Sequence, residues 1–148
     1  MDKIRIGFRS FKEISFIYYR DVEEQICNLV LKSMLNYGFT DFYLCSGGDL
    51  DNLAEKVLLR RSEIIKKAKR KHIIKIFPNG REITKWDIEN GFDDLIRIDE
   101  NYDDWLLENC DLIVGDDSKE FYESDLLKRA QKLSKKIICL RCHYINII

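Results

Sequence analysis

Three short polar segments of this sequence carry residue types that can bind or transform a charged small molecule: Gly7-Phe8-Arg9-Ser10, Ser46-Gly47-Gly48-Asp49-Leu50-Asp51 and Gly115-Asp116-Asp117-Ser118. An arginine such as Arg9 offers a planar fork of donors that grips phosphate with two parallel bonds. Paired glycines let a backbone approach a phosphate or sugar, and a helix opening directly after them presents free N–H groups to an anion. Asp51 suits a ribose hydroxyl. Asp116 and Ser118 suit sugar binding or acid–base work, and Asp116, Asp117 and Glu120, with Glu123 behind them, are carboxylates of the type that serves as nucleophile or general base.

Each of these residues has a second reading. Arg9 can form a surface ion pair, and Ser46 or Asp49 can cap a helix after an ordinary turn. Asp51 can support that turn, and Asp116 or Ser118 can cap the last helix.

The elements that would position these segments follow from the apolar pattern. Short apolar runs at 4–8, 41–45, 72–77, 95–98, 112–114 and 136–140 alternate with stretches of helical periodicity. Val22, Ile26, Leu29, Val30 and Met34 recur at helical spacing over 21–37, with Gly38 as the stop. Leu50, Leu53, Ala54, Val57, Leu58, Ile64, Ile65 and Ala68 predict one long helix with a basic outer face. Short helices are expected around 83–86 and over 101–109, and Tyr122, Leu126, Ala130 and Leu133 predict a last one. The tail 144–148 is expected to add a strand. Pro78-Asn79-Gly80 is a turn.

Alternating strands and helices imply right-handed βαβ crossovers and a parallel sheet, and Ile-rich strands fit burial on both faces. The expected fold is therefore α/β, a single doubly wound Rossmann-like domain over 1–148 with a mostly parallel sheet of about five strands. In such sheets ligands bind outside the carboxyl ends of the strands. All three polar segments fall there.

A resemblance rests on these residues. Gly7-x-Arg9-Ser10 after the first strand, followed by Ser46-Gly47-Gly48-x-x-Asp51-x-x-Ala54, resembles the SLOG superfamily of Rossmann-like nucleotide-binding domains. The segments Glu108-Asn109-Cys110-Asp111-Leu112-Ile113-Val114 and Lys135-Lys136-Ile137-Ile138 are similar to its later strands. The resemblance implies binding, by sensing or sequestering, of a nucleotide or nucleotide-derived signal. It leaves residues 79–100 unaccounted for, and Asp49 stands where the family usually has a third glycine. The Pro-Gly-Gly-x-Gly-Thr-x-x-Glu element of its phosphoribohydrolase branch is missing. That catalytic assignment does not transfer, so an enzyme acting on an N-glycosidic bond is the alternative reading. A protein-interaction module using opposed charged faces is a third.

Composition narrows the field. The 148 residues carry 25 Lys+Arg against 26 Asp+Glu, a net charge of −1, which disfavours a dedicated nucleic-acid or membrane binder. The chain is basic from Lys56 to Lys75 and acidic from Glu82 to Asp111, blocks that suit two solvated faces or an oppositely charged partner. Aromatics are absent from 44–76, so base stacking is not built into the basic segment.

Five cysteines (Cys27, Cys45, Cys110, Cys139, Cys142), mostly inside apolar runs, read as free thiols in a reducing compartment. With no signal-like N-terminus and no apolar run near the ~18 residues of a membrane span, a cytoplasmic protein is expected. Cys139-x-x-Cys142-His143 matches the haem-attachment string, but a zinc site would need further ligands, and neither metal nor cofactor is expected. His72 has no evident acid partner in the sequence. By analogy of fold, a homo-oligomer that completes the ligand site is expected.

Overall fold

The computed structural model describes residues 3–45, 47–66 and 70–143. Six strands form one parallel sheet: β1 (Lys3–Arg9), β2 (Phe39–Cys45), β3 (Lys71–Phe77), β4 (Asp94–Arg97), β5 (Leu112–Asp116) and β6 (Lys136–Leu140). Their order is β4-β3-β2-β1-β5-β6, and every neighbouring pair runs parallel. The chain winds outward from β1 to β4, then returns to β5 on the other side of β1. The reversal between β1 and β5 is the topological switch of a doubly wound sheet.

Helices cover both faces. On one lie α1 (Tyr19–Asn36) and α2 (Asp49–Arg60), packed on Ile4, Ile6, Phe8, Phe42, Leu44, Leu112 and Val114. On the other, α5 (Tyr102–Asn109) and α7 (Asp125–Lys132) pack on Tyr43, Ile74, Ile76 and Ile113. Alternate residues of β1, β2 and β5 thus point into different cores, the period-2 geometry of a strand buried on both sides. Each fully buried Phe or Ile contributes roughly 1.5–3 kcal/mol.

Three further α-helices are short, α3 (Ser62–Ile65), α4 (Lys85–Glu89) and α6 (Lys119–Tyr122), and a 3-10 turn at Phe16–Tyr18 precedes α1. The helix expected as continuous from Leu50 is interrupted. Arg61 adopts φ −69°, ψ 123°, and its side chain holds Glu63 and Glu24 at 2.9 Å each. The extended residue lets Ile64 turn inward to full burial. The last helix is likewise two pieces. Ser124 caps α7 by accepting the Leu127 N–H at 3.1 Å, which leaves Tyr122 exposed on α6. The end of the expected long helix at Ala68 and the expected tail strand over 144–148 lie outside the described residues.

Two of the singled-out glycines are packing positions. A Cβ on Gly7 would stand 2.8 Å from Cys110 Sγ under α5, and one on Gly115 would meet the Phe121 ring, with Cδ2 at 2.6 Å. Phe121 is fully buried and cannot yield cheaply. Gly115→Ala should therefore lower stability by about 1–3 kcal/mol, read as a lower urea midpoint. An unchanged midpoint would contradict the contact.

Candidate functional site

The carboxyl ends of β1, β2 and β3, together with the start of α5, enclose a cavity of about 380 Å³. Sequence-predicted residues meet there: Arg9, Ser10, Gly47, Gly48 and Asp51 all line it. Ser46, between the strand and the glycines, lies outside the described residues.

The β2–α2 turn is shaped by contact with β1. Gly47 has φ +120°, a conformation that side-chain-bearing residues rarely adopt. A Cβ on Gly48 would overlap Ser10, so the chain reaches this close only as glycine. Gly48 is the N-cap of α2 and offers no side-chain cap. In its place Ser10 Oγ accepts the Asp51 N–H at 2.8 Å, satisfying a first-turn donor from a different element.

This arrangement carries Asp51 inward. The residue is only 5% exposed, its Oδ1 is buried, and no hydrogen-bond partner for that oxygen exists among the described residues. Burial pushes its carboxyl well above the usual carboxylate range, with Arg9 pulling the other way. Beside it, burial raises the Cys45 thiol to about 11. The Asp51 carboxyl, its pKa raised by burial, and the Cys45 thiol both face the cavity.

Arg9 is held from two sides. Its Nε donates to Asp103 at 2.6 Å, its Nη1 donates to the Ser10 carbonyl, and its guanidinium lies 4.2 Å from the Phe11 ring centroid. The ion-pair reading of Arg9 is the one observed: the pair with Asp103 orients the guanidinium at the cavity rim.

Residues not singled out from the sequence complete the wall. Arg81 follows the turn after β3, and its guanidinium approaches Gly47, where a Cβ would stand 2.8 Å from Nη2. Asp103 and Asp104 open α5, and Arg129 of α7 reaches over to Asp104 at 2.7 Å. The strand-end rule applied to β3 and β4 would have drawn attention to Arg81 and the 101–104 turn. Arg129 gives no such signal, because only the packing of α7 on α5 brings it there.

The other singled-out residues lie elsewhere. Phe8 is fully buried in the α1/α2 core. Asp49 accepts the Ile14 N–H at 2.7 Å. Asp116 is completely buried; its Oδ2 accepts from the Phe11 and Lys12 amides at 2.9 and 3.1 Å, and its Oδ1 from Ser118 at 3.2 Å. Ser118 caps α6 by accepting the Phe121 N–H. Asp117 accepts from the Cys142 and His143 amides and stands 2.8 Å from His143 Nδ1. Glu120 is exposed, 4.0 Å from Lys12. None of these lines the cavity.

His72 does have acid partners, contrary to the sequence expectation: Nε2 is 2.9 Å from Asp94 and Nδ1 3.8 Å from Asp41. The parallel register, which puts Asp41 and Asp94 on flanking strands, brings these groups together. They sit near the amino ends of the strands, away from the cavity.

Asp51 gives a testable consequence for stability. A carboxyl whose pKa is raised by folding favours the native state while protonated, and that contribution is lost as pH rises through the native value. An amide cannot ionise. Asp51→Asn should therefore stabilise the ligand-free protein at pH 8, with the gain shrinking towards zero near pH 4, around the ordinary value of about 3.9. Urea denaturation at both pH values checks this; a gain that grows on acidification would reverse the assignment.

No family model matches the chain, and no curated protein matches it. Among solved structures, the molybdenum cofactor carrier protein MCP of Chlamydomonas reinhardtii is similar in fold. It superposes with a TM-score of 0.55 at 14% identity, over 92% of this chain and 75% of that one. At that identity the likeness speaks to the fold, and with the six-stranded parallel sheet it identifies a Rossmann-like α/β architecture.

Proposed function

We propose that this chain is a binding domain of the SLOG type that senses or sequesters a nucleotide or nucleotide-derived small molecule in the strand-end cavity. The observation that carries the reading is a convergence on one cavity. Two arginines, Arg9 and Arg81, and the bare Gly47-Gly48 turn at the start of α2 face the same space as the buried Asp51 carboxyl. The first three suit an anionic group, since free helix-start N–H groups and guanidinium forks both favour phosphate oxygens. Asp51 suits a hydroxyl or N–H of the ligand, which would supply the partner its Oδ1 lacks.

The volume supports a ligand of mononucleotide size, as about 380 Å³ is near the lower end for small-molecule sites. The Chlamydomonas protein is a molybdenum cofactor carrier, and carriage without turnover is the activity this geometry suits best. Cleavage of an N-glycosidic bond is less well supported. Asp116 and Asp117 already accept backbone amides, and Glu120 faces solvent.

A thermal-shift screen of nucleoside mono- and diphosphates, NAD, ADP-ribose, cyclic nucleotides and the molybdenum cofactor tests the reading. A ligand at one hundred times its Kd stabilises by about 2.7 kcal/mol. One class should raise the Tm of wild type, and the rise should vanish in Arg9→Ala and shrink in Arg81→Ala. Mass spectrometry of the same mixtures should return the ligand unchanged. A panel that moves nothing, or a shift that survives Arg9→Ala intact, sinks the proposal, and a cleaved product transfers it to the enzyme reading.

A further inference from the structure

Residues 79–100, which the resemblance leaves unaccounted for, meet the basic segment in space. Between α2 and α4 lies a second cavity of about 410 Å³, walled by Asn52, Glu55, Leu59 and Arg60 on one side and by Trp86 and Asn90 on the other. Its floor is Lys75 of β3, a buried lysine.

Lys75 explains why α4 stands where it does. Its Nζ is 2.7 Å from Asp87 and 3.9 Å from Glu55. Asp87 closes a capping box with Thr84, so the buried ion pair and the helix start share one carboxylate. Breaking such a pair is costly, which makes α4 a rigid wall. Trp86, next to Asp87 on the same helix, is exposed and lines the cavity.

Arg60 faces the same space. Its guanidinium donates to the Asn90 amide oxygen, and it has no carboxylate partner among the described residues. Asn90, itself buried, donates in turn to Glu55. A guanidinium has five N–H donors, so most of those on Arg60 remain open to an anion. An exposed aromatic side chain and a guanidinium hydrogen-bonded to Asn90 thus flank one cavity with a polar floor.

We propose that this cavity is a second small-molecule site, for a planar aromatic ligand bearing one anionic group, with Trp86 as the stacking surface and Arg60 as the anion anchor. Stacking on an indole suits a ring of any sequence or substitution, and the guanidinium selects rings that carry a phosphate or carboxylate. The site is independent of the strand-end cavity and stands whether or not that cavity takes a nucleotide.

Tryptophan fluorescence tests it, because Trp105 is buried and Trp86 is the exposed reporter. The probes are AMP, GMP, UMP and nicotinate as aromatic anions, with adenosine and inorganic phosphate as the separate halves. At least one aromatic anion should quench Trp86 saturably, and more tightly than either half. Arg60→Ala should weaken that quenching about tenfold or more, and calorimetry on Trp86→Ala should show a similar loss. Both side chains are exposed, so these variants are expected to fold. Arg9→Ala should leave the quenching unchanged, which separates this site from the strand-end cavity. Absence of saturable quenching by every probe overturns the proposal, as does quenching that Arg60→Ala spares or that Arg9→Ala abolishes.

Discussion

The contact between Ser10 and the Gly48 turn is the constraint from which the strand-end cavity follows. It binds the end of β1 to the start of α2 so closely that no side chain fits at Gly48. It also commits the Ser10 hydroxyl to the Asp51 amide. The helix therefore begins over the sheet rather than beside it, and its second acidic residue enters the interior instead of solvent. Two other carboxylates hold the chain that leaves β1: Asp116 takes the amides of Phe11 and Lys12, and Asp49 takes that of Ile14. The β1–α1 connection is thus tied down at three successive points, and the cavity wall it forms is set before any ligand arrives.

Charge in the cavity is balanced rather than basic. Arg9 is matched by Asp103, and Arg129 by Asp104 and Asp125. These pairs fix the arginines in place, so a ligand need not order them, which lowers the entropic cost of binding. They also mean that a bare phosphate gains little from the field as a whole. A ligand bearing both an anionic group and hydrogen-bond donors fits this wall better than an anion alone. Asp51 has a buried oxygen without a partner among the described residues, and such burial costs stability.

The fold was legible because each strand is a short apolar run and each crossover is periodic; even the weak signal at 83–86 marks α4. Periodicity failed at Arg61, where Ile64 and Ile65 stay in helical phase although the backbone extends for one residue. An extended residue between two pieces in similar phase leaves no mark in an apolar pattern. The strand-end rule found five residues of the cavity at or just beyond the ends of β1 and β2 because adjacency to a strand end is a sequence property. It misjudged nothing about where Asp116 sits in the chain, but it could not reveal that the carboxylate is already filled by amides of another loop. Nor could it reveal Arg129, which arrives from a helix on the opposite face. The charge blocks read as solvated faces are partly that, but Lys75 and Asp87 form a buried pair, joined by a β3–α4 packing that composition does not encode.

The position of the cavity relative to the switch point has a physical cause. In a doubly wound sheet the crevice is expected between the two strands where the winding reverses, here β1 and β5. On the β5 side that space is filled. Phe121 occupies the ground above Gly115, Phe11 stacks on it at 5.1 Å between ring centroids, and Asp116 seals the gap with backbone hydrogen bonds. The opening is left on the side of β2 and β3. There the first turn of α5 and the Arg81 loop form the far wall, and the Arg9 guanidinium, stacked on that same Phe11, borders the opening. One aromatic pair thus both closes the switch crevice and braces the arginine of the neighbouring cavity, so the residues that make β5 architectural are also those that aim Arg9.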